Sequence, residues 1–402
     1  MEAGLPSPWL TAHWAASQHN FAPAIAVPPH PVVLHDITVR DGEESADLAF
    51  SVADKVCIAE ALARVGIRRM EVFLTVPGWR ETVRQLLRRC PAMALYVTWQ
   101  PGRVEHALEL GVRHVMVWYR IGEVFQQHVL QRPRAELLDE MLEAVRAARL
   151  AGAHVNLFLP EATRASLEHL RLAVEGAKQA GAAAITVVDS QGVARPAALT
   201  YLVRQVKTWT GLVVEVHCHN DFGLAVANVL AAYEGGAEAL HCAVNAVGYR
   251  AGNAALEEVA LALEVLYGVP TGLRLDLLPE LSRLVEEITQ LPTGYFKPVV
   301  GPGAFSYEQW EATAALTAGG VRPYAFPYEP EVVGRSPRLV IGKWSDLGAV
   351  AQRLAECGLT ATPAQLQAIL HQSQMAGVAH HRPLGDDEFL AIALGQGAVP
   401  AE

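Results

Sequence analysis

Short apolar runs alternate with amphipathic helical patterns along the chain from about residue 32 to about residue 268. After each run, apolar residues recur three and four positions apart, which is the spacing of one face of a helix. Glycine steps such as Gly66-Ile67 and Gly181-Ala182 precede several runs, as expected where a helix ends at a left-handed glycine and the chain turns into a strand. The runs begin near Val32, Met70, Ala94, His114, His154, Ala184, Leu212 and Ala239.

Eight such strand–helix units in about 240 residues predict a parallel (β/α)₈ barrel, a TIM barrel of the α/β class. A doubly wound open sheet is the alternative, although it usually has fewer strands. Outside the barrel, predicted over residues 32–268, we expect an N-terminal arm over 1–31. Residues 269–345, rich in Pro, Gly and aromatic residues, indicate a loop-rich linker subdomain, and residues 346–402 indicate a small helical subdomain.

The composition indicates a globular protein and argues against several partners. The chain is 51% hydrophobic and 18% charged, and its net charge of −10 with no basic cluster argues against nucleic acid. No apolar run reaches the roughly 20 residues of a membrane span, and no signal peptide is evident. The five cysteines are scattered without a CxxC pair, which predicts free thiols in a reducing compartment. We therefore expect a cytoplasmic protein that binds neither nucleic acid nor a membrane.

Polar residues gather at the ends of predicted strands 1 and 7, where TIM-barrel active sites lie. His217 and His219 flank one residue, so strand alternation places both imidazoles on one face. With the carboxylate of Asp41 they form a ligand set for one divalent ion that leaves positions open for substrate. Arg40, next to Asp41, adds a fixed positive charge that can help to polarise a substrate carbonyl. The alternative interpretation is two core histidines and an ordinary Arg–Asp surface pair.

Several motifs, in the same order, resemble the isopropylmalate synthase and homocitrate synthase family of the DRE-TIM metallolyase superfamily. Its signatures D-T-T-L-R-D-G-E, E-D-A-S/T-R, D-T-x-G, H-x-H-D/N-D-x-G-x-A and N-G-x-G-E-R-A-G-N are similar to residues 36–43, 161–164, 189–192, 217–225 and 245–253. Residues 300–305, 330–336 and 339–345 are most similar to the linker of the nitrogen-fixation type of homocitrate synthase. Lyases of the superfamily generally lack this linker, which favours a synthase.

The resemblance implies one divalent metal ion (Mg, Mn, Zn, Fe or Co) bound by Asp41, His217 and His219. It implies that Asn253 lies near the metal and contacts substrate. The implied substrates are a 2-oxo acid and an acyl-CoA, and the implied assembly is a homodimer in which each linker subdomain reaches the partner's active site.

The resemblance also implies individual catalytic roles. Arg40 would be the catalytic cation and also a substrate contact, with Glu71 as its orienting partner. Ser190, where the family has Thr, would contact the carboxylate of the 2-oxo acid. Glu161 and Tyr324 would be further catalytic residues, Tyr324 because it matches a tyrosine of the family's linker.

Departures from the family pattern cluster where acyl-CoA chemistry takes place. Without a gap, the family's loop glutamate falls on Pro160, and only a one-residue shift gives that role to Glu161. The glutamate of G-E-R is Tyr249, and the histidine of G-K-H-S is Trp344. The linker segment that carries the family's basic histidine reads YEQWEA at residues 307–312, so another base is needed. The candidates are Tyr307, Glu308, Glu311 and Tyr324.

The leading hypothesis is a metal-dependent acyltransferase that condenses an acyl-CoA with a 2-oxo acid to give a 2-hydroxy diacid, and the family resemblance implies acetyl-CoA as the acyl donor. The first alternative is a metal-dependent lyase or aldolase acting on a 2-hydroxy or 2-oxo acid, motivated by the altered base motifs. The second is a catalytically silent paralogue that binds metal or metabolite.

Overall fold

The computed structural model describes residues 8–401, which form two compact units. The first unit spans Ala22–Thr293, and the second joins residues 8–21 to residues 294–401. Residues 1–7 of the predicted N-terminal arm, and residue 402, lie outside the described part of the chain.

The first unit is a closed barrel of eight parallel strands in sequence order, which confirms the predicted TIM barrel and excludes the open sheet. Every predicted apolar run coincides with one of these strands. The strands are β1 Val33–Asp36, β2 Arg69–Val72, β3 Ala94–Thr98, β4 His114–Trp118, β5 His154–Leu159, β6 Ala184–Asp189, β7 Val213–Cys218 and β8 Ala239–Cys242. The helices of this unit are α1 Val52–Val65, α2 Trp79–Arg89, α3 Val104–Leu110, α4 Glu123–Phe125, α5 Arg134–Leu150, α6 Leu167–Ala180, α7 Pro196–Thr210, α8 Ala225–Glu234, α9 Leu256–Tyr267 and α10 Leu278–Thr289.

The ends of helix α1 show how local sequence sets these elements. Ser51 accepts a hydrogen bond from the Asp54 amide, while the Asp54 side chain accepts one from the Ser51 amide. Such a cap contributes about 1 kcal/mol. The helix ends at Gly66 (φ 113°), whose left-handed conformation is free of Cβ strain only for glycine, and α6 ends in the same way at Gly181 (φ 104°). The glycine steps therefore mark helix ends, as predicted.

Strand register determines which residues meet at the carboxyl rim of the barrel. β1 closes on β8 with Asp36 opposite Cys242, and β6 pairs with β7 with Asp189 opposite Cys218. Residues that follow these strands leave the barrel at the same level, because all the strands are parallel. The register therefore gathers the motifs of strands 1, 6, 7 and 8 at one end of the barrel.

The second unit contains four α-helices, three short 3₁₀ helices and two small two-stranded sheets in its described part. Its core is formed by apolar side chains such as Ile341, Val350, Leu354, Ile369 and Phe389. The helices are α11 Glu311–Ala318, α12 Leu347–Glu356, α13 Pro363–His380 and α14 Asp386–Gly395, and the strands are β9 Ser306–Tyr307, β10 Arg338–Leu339, β11 Leu359–Thr360 and β12 Val399–Pro400.

The units divide the chain at residues 21/22 and 293/294, and α10 packs on α1 within the barrel unit. The predicted division into arm, barrel, linker and helical subdomain stays a prediction. All five cysteines are free. Among the described residues, no helix is both long and apolar enough to cross a membrane.

Candidate metal and substrate site

Three buried side chains converge at the carboxyl rim of the barrel. His217 Nε2 lies 3.3 Å from His219 Nε2 and 3.4 Å from Asp41 Oδ2, and His219 Nε2 lies 4.0 Å from the same oxygen. His217 and Asp41 are each 1% exposed, and His219 is 7% exposed. The two imidazole planes stand at 75°, so their nitrogen lone pairs point to a shared centre instead of running side by side. The geometry brings together the three residues predicted from the HxH spacing and the Arg–Asp pair.

This arrangement fits a single divalent cation. Ligand atoms about 2.1 Å from an ion, at tetrahedral or octahedral angles, lie roughly 3.0–3.5 Å apart, close to the separations observed. Burial lowers the pKa of His217 to about 4, so its imidazole is in the neutral form that binds metals. Burial alone would raise the pKa of Asp41, but Arg40 and the two histidines hold it well below its usual value. All three groups are therefore in the ligand form at neutral pH.

The loop that follows β8 fixes Asp41. Asn253 Nδ2 donates to Asp41 Oδ1 at 2.7 Å, and the Tyr249 amide donates to the same oxygen at 3.2 Å. A Cβ at Gly248 would lie 2.0 Å from Asn253 Nδ2, so this close approach requires glycine. Asn253 is thus adjacent to the proposed metal ligands, and its buried Oδ1 has no hydrogen-bond partner in the described part of the chain.

Arg40 is fully buried, and its guanidinium is held on two sides. Its Nε donates to Glu71 Oε2, and its Nη1 donates to Asp41 and Glu44, at 2.9 Å in each case. Within residues 8–401, Nη2 is buried and has no hydrogen-bond partner. The structure therefore places Glu71 against Arg40, as the family resemblance implied, and leaves one guanidinium nitrogen able to donate to a ligand.

A column of polar side chains continues from Glu71 into the barrel. Glu71 Oε1 lies 3.1 Å from His241 Nδ1, and His241 Nε2 lies 3.0 Å from Glu215 Oε2. Arg69 closes the column with a contact of 3.1 Å to Glu215 Oε1. Burial opposes a charged His241, but Glu215 and Glu71 outweigh it and raise its pKa. Acidic and basic side chains thus alternate along this column and support the orientation of Glu71, and through it that of Arg40.

His35, Glu215 and His241 also lie close enough together to be considered as a metal site. The rings of His35 and His241 are stacked, however, with centroids 4.2 Å apart and planes at 30°. Lone pairs of stacked rings are nearly parallel and do not converge on one ion. We therefore interpret this cluster as part of the charge column and not as a second metal centre.

Ser190 and Glu161 meet at the rim between β5 and β6. The Glu161 amide donates to Ser190 Oγ at 2.8 Å, which leaves the Ser190 hydroxyl hydrogen available to a ligand. Glu161 is 9% exposed and adopts a left-handed conformation (φ 67°). Asn245, Ala246 and Arg250 in the β8 loop share this uncommon conformation. Strained backbone of this kind is typical of functional sites.

A cavity of about 140 Å³ opens over these residues. Its lining includes the predicted residues Arg40, Asp41, Glu161, Ser190, His217 and His219. Tyr324 belongs to the second unit, where it ends the short 3₁₀ helix Arg322–Tyr324 and is about half exposed, so its role stays a prediction.

The cavity also contains residues that the motifs did not indicate, namely Glu44, Trp118, Arg120, Phe125 and Phe158. Burial raises the pKa of Glu44, which makes it a carboxylate of increased basicity near the candidate metal ligands. The sequence feature that could have indicated Glu44 is its position one helical turn after Arg40. The charge column was missed as well, although Glu215 stands in an apolar strand two residues before His217, and hence on the same inward face.

Comparisons with known proteins agree on one family. A profile described as HMGL-like matches residues 31–285. A probable 2-isopropylmalate synthase of Ignicoccus hospitalis is 36% identical over 357 residues, covering 87% of this chain and 88% of the relative. Homocitrate synthase AksA of Methanopyrus kandleri is 34% identical over 358 residues, with the same coverages. A putative (R)-citramalate synthase CimA of the same organism is 34% identical over 394 residues, covering 95% of this chain and 75% of the relative.

Solved structures agree on the fold. The hydroxymethylglutaryl-CoA lyase of Pseudomonas aeruginosa superimposes with a TM-score of 0.60 at 21% identity, covering 72% of this chain and 99% of the lyase. At this identity the likeness supports the barrel architecture alone.

Proposed function

This chain belongs to the HMGL-like family, and from that premise we propose that it catalyses the condensation of an acyl-CoA with a 2-oxo acid. In the proposed reaction, acetyl-CoA adds through its methyl carbon to the ketone, and hydrolysis of the thioester gives a 2-hydroxy diacid. The relatives reported above are named as synthases of 2-isopropylmalate, homocitrate and (R)-citramalate, which are all hydroxy acids with at least two carboxylates. The activity we propose is homocitrate-synthase-like in this sense.

One observation carries the proposal: the convergent Asp41, His217 and His219 stand beside a buried arginine that has a free nitrogen. Arg40 Nη1 bonds to Asp41, which in turn is 3.4 Å from His217, so cation and ligand set share one carboxylate. A divalent ion bound by these three residues would polarise the ketone of the 2-oxo acid. Nη2 of Arg40 would donate to the ketone oxygen and stabilise the negative charge that develops there.

The remaining side chains would orient the substrate. Ser190, whose hydroxyl accepts from the Glu161 amide, would donate to the carboxylate of the 2-oxo acid. Asn253 would offer its unpartnered Oδ1 to a substrate hydroxyl or a water. Glu71 would keep Arg40 in place, and the charge column would keep Glu71 ionised. Glu161 lines the cavity near Ser190 and is proposed as a further catalytic residue.

The base that removes the methyl proton is the part of the family mechanism that this chain has changed. Two of the linker candidates are engaged within the second unit, because Glu308 accepts from the Trp344 amide at 2.6 Å and Glu311 accepts from the Gly348 amide at 3.3 Å. Glu44 lines the cavity, and burial raises its pKa, which increases the basicity of its carboxylate. We therefore add Glu44 to Tyr324 as a candidate base.

We further propose a homodimer in which the linker subdomain of each chain reaches the partner's site. The test is complementation: His217→Ala and Tyr324→Phe chains, each of low activity, are denatured together and refolded as a mixture. Hybrid dimers with shared sites would contain one site with both residues intact and would regain activity. Additive activities with no gain would contradict the shared site.

Release of CoA from acetyl-CoA by metal-loaded protein tests the reaction itself. The acceptors are a panel of branched, dicarboxylic and phosphonate 2-oxo acids, and free thiol is measured. We expect release with at least one acid, and a loss of more than about 100-fold in His217→Ala. Cys218→Ala is the matched control, because Cys218 alternates with the histidines and faces away from them. If no acid in the panel gives CoA release although metal is shown to be bound, the proposed synthase activity is refuted.

A lyase or aldolase on the same metal site is the second candidate. The observation that favours it is the absence of histidine from residues 307–312, where the family carries its base. A lyase would cleave a 2-hydroxy or 2-oxo acid without any thioester, which separates the two reactions directly. Ligand-induced stabilisation without turnover of any substrate would instead indicate a silent paralogue.

A further inference from the structure

Three arginines line the cavity, and they differ in whether their guanidinium groups already pair with a carboxylate. Arg40 bonds to Glu71, Asp41 and Glu44, as described above. Arg250 makes two hydrogen bonds of 2.8 Å to the carboxylate of Asp221. The guanidinium of Arg120 has no carboxylate partner among residues 8–401, and its recorded contact is with the ring of Phe125, at 4.8 Å. Of the three arginines, Arg120 is therefore the one without a carboxylate partner in the described part of the chain.

The backbone that presents Arg120 is fixed by buried contacts. Tyr119 turns away from the cavity and places its hydroxyl 2.9 Å from His169 Nε2, so alternation puts Arg120 on the same face as Trp118. Gln126, only 3% exposed, donates to the carbonyl of Arg120 at 2.8 Å. These contacts hold the main chain, while Arg120 itself is exposed and lines both this cavity and a second one bounded by Trp99 and Met141.

The same loop is closely packed against the predicted site. A Cβ at Gly122 would lie 2.4 Å from Glu161 Oε2, so glycine is needed for the loop after β4 to approach the loop after β5. The backbone position of Arg120 is thus tied to that of Glu161 and Ser190.

Aromatic side chains lie beside both Arg40 and Arg120 in the lining of the cavity. The Arg40 guanidinium carbon lies 5.4 Å from the Trp118 ring centre and 5.7 Å from that of Phe158. Phe125 continues the aromatic lining to Arg120. The buried Trp118 Nε1 has no hydrogen-bond partner in the described chain and offers one further donor. The cavity thus combines the Asp41, His217 and His219 set, aromatic walls and a further cation, which suits a ligand with a polar head, a short apolar spacer and a second anionic group.

We propose that Arg120 binds a second anionic group of the substrate, so that the enzyme acts on 2-oxo acids with a carboxylate or phosphonate at the far end. The inference rests on the proposed function, since it assumes that the oxo-acid head lies at Asp41, His217, His219 and Arg40. A 2-oxo acid with an apolar side chain would instead bury the guanidinium without a partner, which costs free energy.

Binding of the acid alone tests the inference without turnover. Titration calorimetry with Mn²⁺-loaded protein would compare 2-oxoglutarate and phosphonopyruvate with 4-methyl-2-oxopentanoate, which has no second charge. We expect at least one dianionic acid to bind about tenfold or more tightly than the apolar acid. In Arg120→Gln that acid should lose about 10- to 100-fold in affinity, as for a charge-assisted hydrogen bond, while the apolar acid changes less than about threefold. Arg146→Gln, an exposed arginine of α5, is the matched control and should change neither.

The outcomes separate the inference from the proposed function. Tighter binding of the carboxylate or of the phosphonate identifies which anion the site takes. Preference for the apolar acid, an unchanged ratio in Arg120→Gln, or no binding of any acid would overturn the inference. If an Arg120-dependent acid binds but no CoA is released, the inference stands and the condensation is refuted. If CoA is released with the apolar acid in preference, the condensation stands and the inference is refuted.

Discussion

Replacing Glu71 by glutamine removes the charge on which the buried cations of the barrel depend. Glu71 is 0% exposed, receives a hydrogen bond from Arg40 Nε, and lies 3.1 Å from His241 Nδ1. Burial alone would raise the pKa of Glu71, but Arg40 and His241 hold it below its usual value, so it is ionised at neutral pH. Glutamine keeps the volume, removes the charge and leaves one acceptor oxygen where the carboxylate has two.

The expected loss in the free energy of unfolding depends on the acidic partners that Arg40 keeps. Breaking one member of a buried ion pair costs about 3–5 kcal/mol, and the lower end applies because Asp41 and Glu44 still neighbour Arg40. A barrel unit spanning Ala22–Thr293 unfolds with an entropy of roughly 0.6 kcal/mol/K. Dividing about 3 kcal/mol by this entropy gives a fall of roughly 5 °C in the melting temperature of Glu71→Gln.

Scanning calorimetry measures this shift, with Glu280→Gln as the matched control. Glu280 pairs with Arg64 at 2.9 Å, but the two side chains are 50% and 58% exposed. An exposed pair contributes less than about 1 kcal/mol, so the control should shift by under about 2 °C. Equal small shifts in both variants would refute the reasoning, because they would show that Arg40 does not need Glu71.

Three further substitutions test parts of the site. Gly248→Ala places a Cβ 2.0 Å from Asn253 Nδ2 and 2.8 Å from Asp41 Oδ1, so Mn²⁺ affinity by calorimetry should fall at least about tenfold, whereas Gly395→Ala, where a Cβ meets no atom within 4 Å, should leave it unchanged. Ser190→Ala should raise KM for the 2-oxo acid about tenfold with kcat nearly constant, and a loss confined to kcat would contradict its binding role. Glu44→Gln should lower kcat about 100-fold with little change in KM if Glu44 is the base, and an unchanged kcat would exclude it.

The barrel and the convergence of the candidate metal ligands were predictable because both depend on short-range patterns. Apolar runs separated by helices and closed by glycines specify strand–helix units, and eight of them close a barrel. His217 and His219 share a face by strand alternation, and Arg40 and Asp41 are adjacent in sequence. Parallel strands bring such residues to one rim without knowledge of the exact register.

The charge column and the far end of the cavity depend on information that local patterns do not carry. Glu71, Glu215 and His241 come from β2, β7 and β8, and their contacts are set by strand register across the barrel. Arg120 is presented by a loop whose short α-helix and π-helical turn, Gln126–Leu130, show no periodicity in the sequence. The contacts of the charge column and the placement of Arg120 follow from tertiary packing, which the order of motifs does not specify.

Metal dependence of CoA release is the most direct test of the central claim that Asp41, His217 and His219 bind the ion on which the reaction depends. The protein is stripped with a chelator, assayed with acetyl-CoA and its best 2-oxo acid, and then resupplied with Mg²⁺, Mn²⁺, Zn²⁺, Fe²⁺ or Co²⁺. We predict that release stops after chelation and returns with at least one ion in the native sequence, but not in His217→Ala. Release that persists in the chelated protein, or that the ion restores equally in His217→Ala, would contradict the account.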